Sequence, residues 1–122
     1  MIRLVLFAHG SGKPAWRVPF DALCATLQEH AGPEHVRLAF LASCTPDLPT
    51  VAAEAVADGV LTLRILPLFM SGGGHVLRDL PELRAGLQAR WPELEVEVLS
   101  AVGEHPRVVA AMADIAADCA AV

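Results

Sequence analysis

The chain has 122 residues, 54% of them hydrophobic and 19% charged, with a formal net charge of −5 at pH 7. That length suits one compact domain with a single core, residues 1–122, and the acidic balance argues against a nucleic-acid partner, which needs clustered Lys and Arg. No uninterrupted apolar run approaches the roughly 18 residues of a bilayer span, and Met1–Phe7 lacks the basic stretch and long apolar core of a signal peptide, so a cytoplasmic chain with no membrane partner is expected.

Cys24, Cys44 and Cys119 are odd in number and show no CxxC spacing. A disulfide framework or a zinc ribbon is therefore not expected, and reduced thiols are.

Ile2–Phe7 is an apolar run suited to a strand buried on both faces of a parallel sheet. After a Gly/Pro turn, Trp16, Phe20, Leu23 and Leu27 recur at helical spacing. Val36–Leu41 reads as a second strand. Pro46 and Pro49 mark the start of a second helix, with Leu48, Val51, Ala52, Ala55 and Val56 on one face. Leu61–Phe69 is the third strand, and Leu80, Leu83 and Leu87 form the stripe of a third helix ending near Trp91-Pro92. Asp79-Leu80-Pro81-Glu82 fits a capping box for that helix, with Asp79 as N-cap. Glu95–Leu99 alternates polar and apolar residues, as a half-exposed edge strand does. Pro106 falls in the first turn of a last helix whose inner face is Val108, Met112, Ile115 and Cys119.

Strict β-α alternation predicts an α/β fold: a three-layer sandwich around a four-stranded parallel sheet, with right-handed crossovers and the flavodoxin-related strand order 2-1-3-4. In that order the switch point lies between the first and third strands, and ligands bind there, at the carboxyl ends of the strands. Two histidines fall at this place. His9 follows the first strand and opens Gly10-Ser11-Gly12; His75 follows the third strand through Ser71-Gly72-Gly73-Gly74. Glycines beside both leave room for a ligand to approach the backbone. Alone, His9 reads equally well as a structural histidine at a strand end. A second imidazole at the same edge points to metal chemistry or proton transfer.

Other motifs lead elsewhere or nowhere. Gly10-Ser11-Gly12-Lys13 fails the phosphate-loop pattern, which needs glycine at Phe7 and Ser or Thr at Pro14, and Gly72-Gly73-Gly74 fails GxGxxG at Leu77. The histidine phosphatases carry Arg before their strand-end His; here that residue is Ala8. His30 and His35 flank a Gly-Pro turn at the opposite end of the sheet and read as surface residues. His105 reads as a solvated helix start or a site residue, and Cys44 as a buried neutral thiol or a soft metal ligand.

His9-Gly10-Ser11, Ala39-Phe40-Leu41, Pro67-Leu68-Phe69, Gly74-His75, Asp79-Leu80-Pro81 and Gly103-Glu104-His105-Pro106 together resemble the short sirohydrochlorin cobaltochelatase family, class II tetrapyrrole chelatases. The resemblance implies a chelatase-like fold and insertion of a divalent metal (cobalt, nickel or iron, as substrate) into sirohydrochlorin or a related macrocycle. It places the chain in cobalamin- or sirohaem-type cofactor synthesis, with no organic cofactor. It implies that His9 and His75 bind the metal and act in catalysis, and that short chains pair as homodimers. A flat macrocycle would lie among Ser11, Lys13, Ser71, Gly72, Gly73, Gly74 and Arg78, with Lys13, Arg17 and Arg78 near its carboxylates. Leu68, Phe69, Met70, Val76 and Leu77 are candidates for an apolar wall or a subunit contact. The chain departs from the family at Ala42, where a Glu commonly follows Ala-Phe-Leu, and at Gly12, where an Arg often follows His-Gly-Ser. The missing carboxylate keeps open a non-catalytic metal- or tetrapyrrole-binding carrier or regulatory domain of the same fold.

Overall fold

The computed structural model describes residues 1–72 and 75–120, and of residues 75–78 the backbone alone. Strands β1 (Ile2–Ala8), β2 (Val36–Phe40), β3 (Thr62–Pro67) and β4 (Glu95–Val98) alternate with helices α1 (Val18–Ala31), α2 (Leu48–Ala57), α3 (His75–Arg90) and α4 (Pro106–Ala120). A 3-10 turn, Pro14–Arg17, precedes α1, and another, Val102–Glu104, precedes α4. All strand pairs are parallel, and the order is β2-β1-β3-β4, as the alternation predicts.

Register explains the layering. On one face Leu6 lies beside Leu38 and Leu66, and α1 packs its Cys24 against this surface. On the other, Val5, Phe7, Leu63, Ile65 and Val96 meet Leu48, Val51 and Ala55 of α2 and Leu80 and Leu87 of α3. Burial of these side chains is the main source of stability, at about 1.5–3 kcal/mol for each large one. Burial also raises the Cys24 pKa above its ordinary value, which keeps this thiol neutral.

One polar residue sits inside the sheet. Arg3 is 1% exposed. Its Nε donates to the Glu34 carbonyl at 2.7 Å and its guanidinium pairs with Asp58 Oδ2 at 3.0 Å. Asp58 stays half in water, so the pair is desolvated on one side only.

Four sequence expectations are corrected. The N-cap reading of Asp79 does not hold: α3 begins at His75, and Asp79 is an exposed residue inside it, with Pro81 also in the helix interior. Pro81 imitates a first-turn proline and so makes the helix look shorter than it is. Leu23 is 42% exposed, and Cys24 takes the buried place on α1. β3 stops at Pro67, short of Phe69, because the Phe69 carbonyl turns away to accept from the Gly103 amide at 2.9 Å. Finally, α4 carries apolar residues at helical spacing but buries none of them, and Ile115 is 65% exposed. The sheet surface beside it is polar where Arg64 and Glu97 pair at 2.7 Å, and Leu66, Leu99, Ala101 and Val102 line an open groove of about 870 Å³ beside the helix.

Candidate functional site

His9 follows β1 directly, and the two flanking turns are fastened to each other. The Leu41 amide donates to the Ala8 carbonyl at 2.9 Å, and the Ala42 amide to the His9 carbonyl at 3.1 Å. Gly10 sits between them with φ +91°, and a Cβ there would collide with the Ala42 carbonyl. Glycine is thus required twice over, by conformation and by space.

Cys44 closes the same joint. Its thiol donates to the Ser11 carbonyl at 3.1 Å and accepts from the Ser11 amide at 3.4 Å. Ser11 in turn accepts from the Lys13 amide through Oγ at 3.1 Å. Cys44 is only partly buried, which corrects the buried-thiol expectation: its thiol sits at the joint of two loops, held by the Ser11 backbone. Beside it opens a cavity of about 530 Å³ lined by Ser11, Lys13, Arg17, Ser43 and Thr45 among others.

The cations there are not equivalent. Arg17 is committed: it forms a two-pronged pair with Asp21 at 2.9 and 3.1 Å, donates to the Thr45 carbonyl at 3.1 Å and lies over the Phe40 ring at 4.7 Å. The hydrogen bond to Asp21 raises its pKa further above the ordinary guanidinium value. Lys13 is exposed. The side chains of His75, Val76, Leu77 and Arg78, together with Gly73 and Gly74, lie outside the described residues.

The imidazole of His9 is exposed and leans toward the third strand. Its ring centre is 4.2 Å from that of Phe69, tilted by 46°. Phe69 is itself only 5% exposed and packs edge-on to Phe7 at 6.0 Å. The Leu68 amide donates to the Phe7 carbonyl at 2.8 Å, which locks the ends of β1 and β3 together. His9 therefore stands beside the turn that runs through Met70, Ser71 and Gly72 toward His75, the first residue of α3. Met70 is 65% exposed there, whereas Leu68 packs against the α1 side of the core.

A second interlock holds that turn from the far side. The Gly72 amide donates to Glu104 Oε1, and the Cα of Gly103 packs onto the Met70 backbone so closely that no Cβ would fit. Sequence reasoning placed Glu104 only within a motif; its partner is distant in the chain and left no local signal. His105 is resolved as a helix start: its Nδ1 accepts from the Arg107 amide at 3.1 Å. His30 and His35 lie at the amino end of β2, away from this edge, with His35 3.5 Å from Glu34. Among the described residues no three His, Cys, Asp or Glu side chains gather as a metal cage. An ion at His9 would keep open positions.

Known proteins resemble this chain in sequence and in fold. The family model described as CbiX matches residues 3–119. A sirohydrochlorin cobaltochelatase of Methanopyrus kandleri is 30% identical over 93 residues, 76% of this chain and 64% of that protein. One from Methanococcus aeolicus is 26% identical over 83 residues, 68% of this chain and 58% of that protein. The matched stretch is thus less than two thirds of the length of either relative. Among solved structures, a CbiX protein of cobalamin (vitamin B12) biosynthesis from Marinobacter aquaeolei VT8 superposes with a TM-score of 0.84 at 26% identity, over 97% of this chain and 93% of that one. The sirohydrochlorin chelatase SirB of Bacillus subtilis subspecies spizizenii, in complex with cobalt, gives 0.80 at 21% identity, over 96% of this chain and 50% of that one. This second likeness is one of fold.

Proposed function

The chain belongs to the CbiX family, and from that premise we propose that it is a metal chelatase. In this reading it inserts a divalent ion (cobalt, nickel or iron) into sirohydrochlorin or a closely related tetrapyrrole, in a cofactor pathway of the cobalamin or sirohaem type. The observation that carries the reading is His9: an exposed imidazole held at the switch point of the sheet, against the ring of Phe69, beside the turn that leads to His75.

Insertion exchanges the pyrrole N–H protons for the ion, and the ion must shed water. Neutral imidazoles suit both tasks, since they ligate borderline divalent metals and accept protons. His9 and His75 are assigned both roles. Ser11, Lys13, Ser71, Gly72, Gly73, Gly74 and Arg78 are assigned to the macrocycle, with Lys13 and Arg78 facing its carboxylates. Arg17 is left out, because Asp21 already holds it. The metal is substrate, and no organic cofactor takes part.

A flat macrocycle needs cover on both faces, and one domain offers one wall. We therefore assign residues 1–122 to a single domain that works as a homodimer in the cytoplasm, without nucleic-acid or membrane partners. The exposed apolar side of α4 and the open groove beside it support this pairing. One observation favours a second reading, a carrier that binds metal or tetrapyrrole without turnover: Ala42, joined to His9 through the backbone, offers no carboxylate where the family commonly has one.

Titration with Co²⁺ tests the metal role of the histidines. The wild-type protein is expected to bind Co²⁺, and His9→Ala and His75→Ala to lose about tenfold or more in affinity. Binding weakens on acidification, because a protonated imidazole has no lone pair for the ion. Equal affinity in all three proteins would refute the assignment.

A further inference from the structure

Glu104 is not among the residues assigned to metal or macrocycle, yet it meets the turn that carries His75. Its Oε1 accepts from the Gly72 amide. Gly72 leaves the carboxylate room, for a Cβ on it would sit 2.6 Å from Oε1. The neighbouring residue repeats the pattern in reverse. The Gly103 amide donates to the Phe69 carbonyl at 2.9 Å, and the absence of a side chain lets Gly103 lie against the Met70 backbone. Two turns at the carboxyl ends of the neighbouring strands β3 and β4, Phe69–Gly72 and Val102–Glu104, are thus fitted together, each with a glycine facing the other.

The consequences differ along the turn. Phe69 is the ring on which His9 rests. Gly72 lies just before His75 in the chain. The Gly103–Phe69 bond therefore anchors the His9 side of the site, and the Glu104–Gly72 bond anchors the His75 side. A charged acceptor on a backbone N–H is stronger than a neutral one, and a glycine-rich turn has the most conformational freedom to lose.

We propose that Glu104 is a positioning residue: its carboxylate holds the glycine-rich turn through the Gly72 amide, so that His75 is presented to the same ion as His9. This rests on the chelatase reading above. Glu104 acts through the backbone and touches neither metal nor macrocycle.

The test uses the full chain and the variants Glu104→Ala and Glu104→Gln, with Co²⁺ alone as the probe. Amide hydrogen exchange at Gly72 reads the bond itself. It is expected to speed up by about tenfold or more in Glu104→Ala and to recover in large part in Glu104→Gln, which keeps the oxygen acceptor. Co²⁺ affinity is expected to follow the same order: several-fold weaker in Glu104→Ala and largely restored in Glu104→Gln. Thermal unfolding should stay nearly constant across the three proteins, since Glu104 is exposed. Unchanged exchange at Gly72 in Glu104→Ala overturns the proposal. So does faster exchange with unchanged Co²⁺ affinity, and that result leaves the chelatase reading standing. Wild-type protein that binds no Co²⁺ overturns both readings together, which separates the two failures.

Discussion

At the scale of single residues, the site depends on close backbone approaches as much as on reactive side chains. Gly10 combines a φ of +91° with contact to the Ala42 carbonyl. Gly10→Ala is expected to destabilise the fold by more than about 1 kcal/mol and to weaken Co²⁺ binding, because His9 shares the distorted turn. Chemical unfolding with a parallel Co²⁺ titration checks this; a wild-type midpoint would contradict it. Ala42 is bonded to His9 through its own amide and is exposed, so a longer side chain has room to project. Ala42→Glu is expected to raise Co²⁺ affinity several-fold by adding a carboxylate ligand; unchanged or weaker binding would show that the position does not face the ion. The position of His9 at the switch-point edge was legible from sequence because an imidazole at the end of an apolar run, before glycine, is a local pattern. The roles of Cys44 and Glu104 were not, because each acts on the backbone of a residue remote in the chain, Ser11 and Gly72.

At the scale of elements, α2 shows how a local signal places a helix. Pro49 lies in its first turn, and the Asp47 side chain accepts from the Thr50 amide at 2.9 Å. Asp47→Ala is expected to cost about 1 kcal/mol near neutral pH. The Thr50 hydrogen bond lowers the Asp47 pKa below its ordinary value. In the folded state the carboxyl therefore binds its proton less readily than in the unfolded chain. Its contribution is present above the ordinary carboxylate range and is lost as pH falls through the lowered native value. Urea unfolding of the two proteins should thus converge in acid; a gap that stays constant from about pH 7 to about pH 3 would contradict this. Strands and helices were readable where burial imposes a period, as in β1 and α2. They were misread where a residue type mimics a boundary, as Asp79 and Pro81 do inside α3. For α4 the periodicity was readable and its destination was not: Val108, Met112 and Ile115 share a face, but no described surface of the same chain buries them.

At the scale of the whole molecule, that uncovered face is the observation on which the proposed pairing rests. An apolar groove of about 870 Å³ between Leu66, Leu99 and α4 is costly to leave in water. Sedimentation equilibrium at micromolar concentration is expected to give a dimer. Ile115→Asp is expected to shift it toward monomer while circular dichroism stays native-like, because Ile115 supports no core packing. A monomer in the wild-type protein, free and with tetrapyrrole bound, would remove the pairing and favour the carrier. The central claim, turnover, is tested most directly by mixing catalytic amounts of protein with an excess of sirohydrochlorin and Co²⁺ and following the macrocycle's absorption. The account predicts conversion well beyond one macrocycle per site, reduced by about tenfold or more in His9→Ala and His75→Ala. Binding of sirohydrochlorin and Co²⁺ with no insertion above the protein-free rate would contradict it.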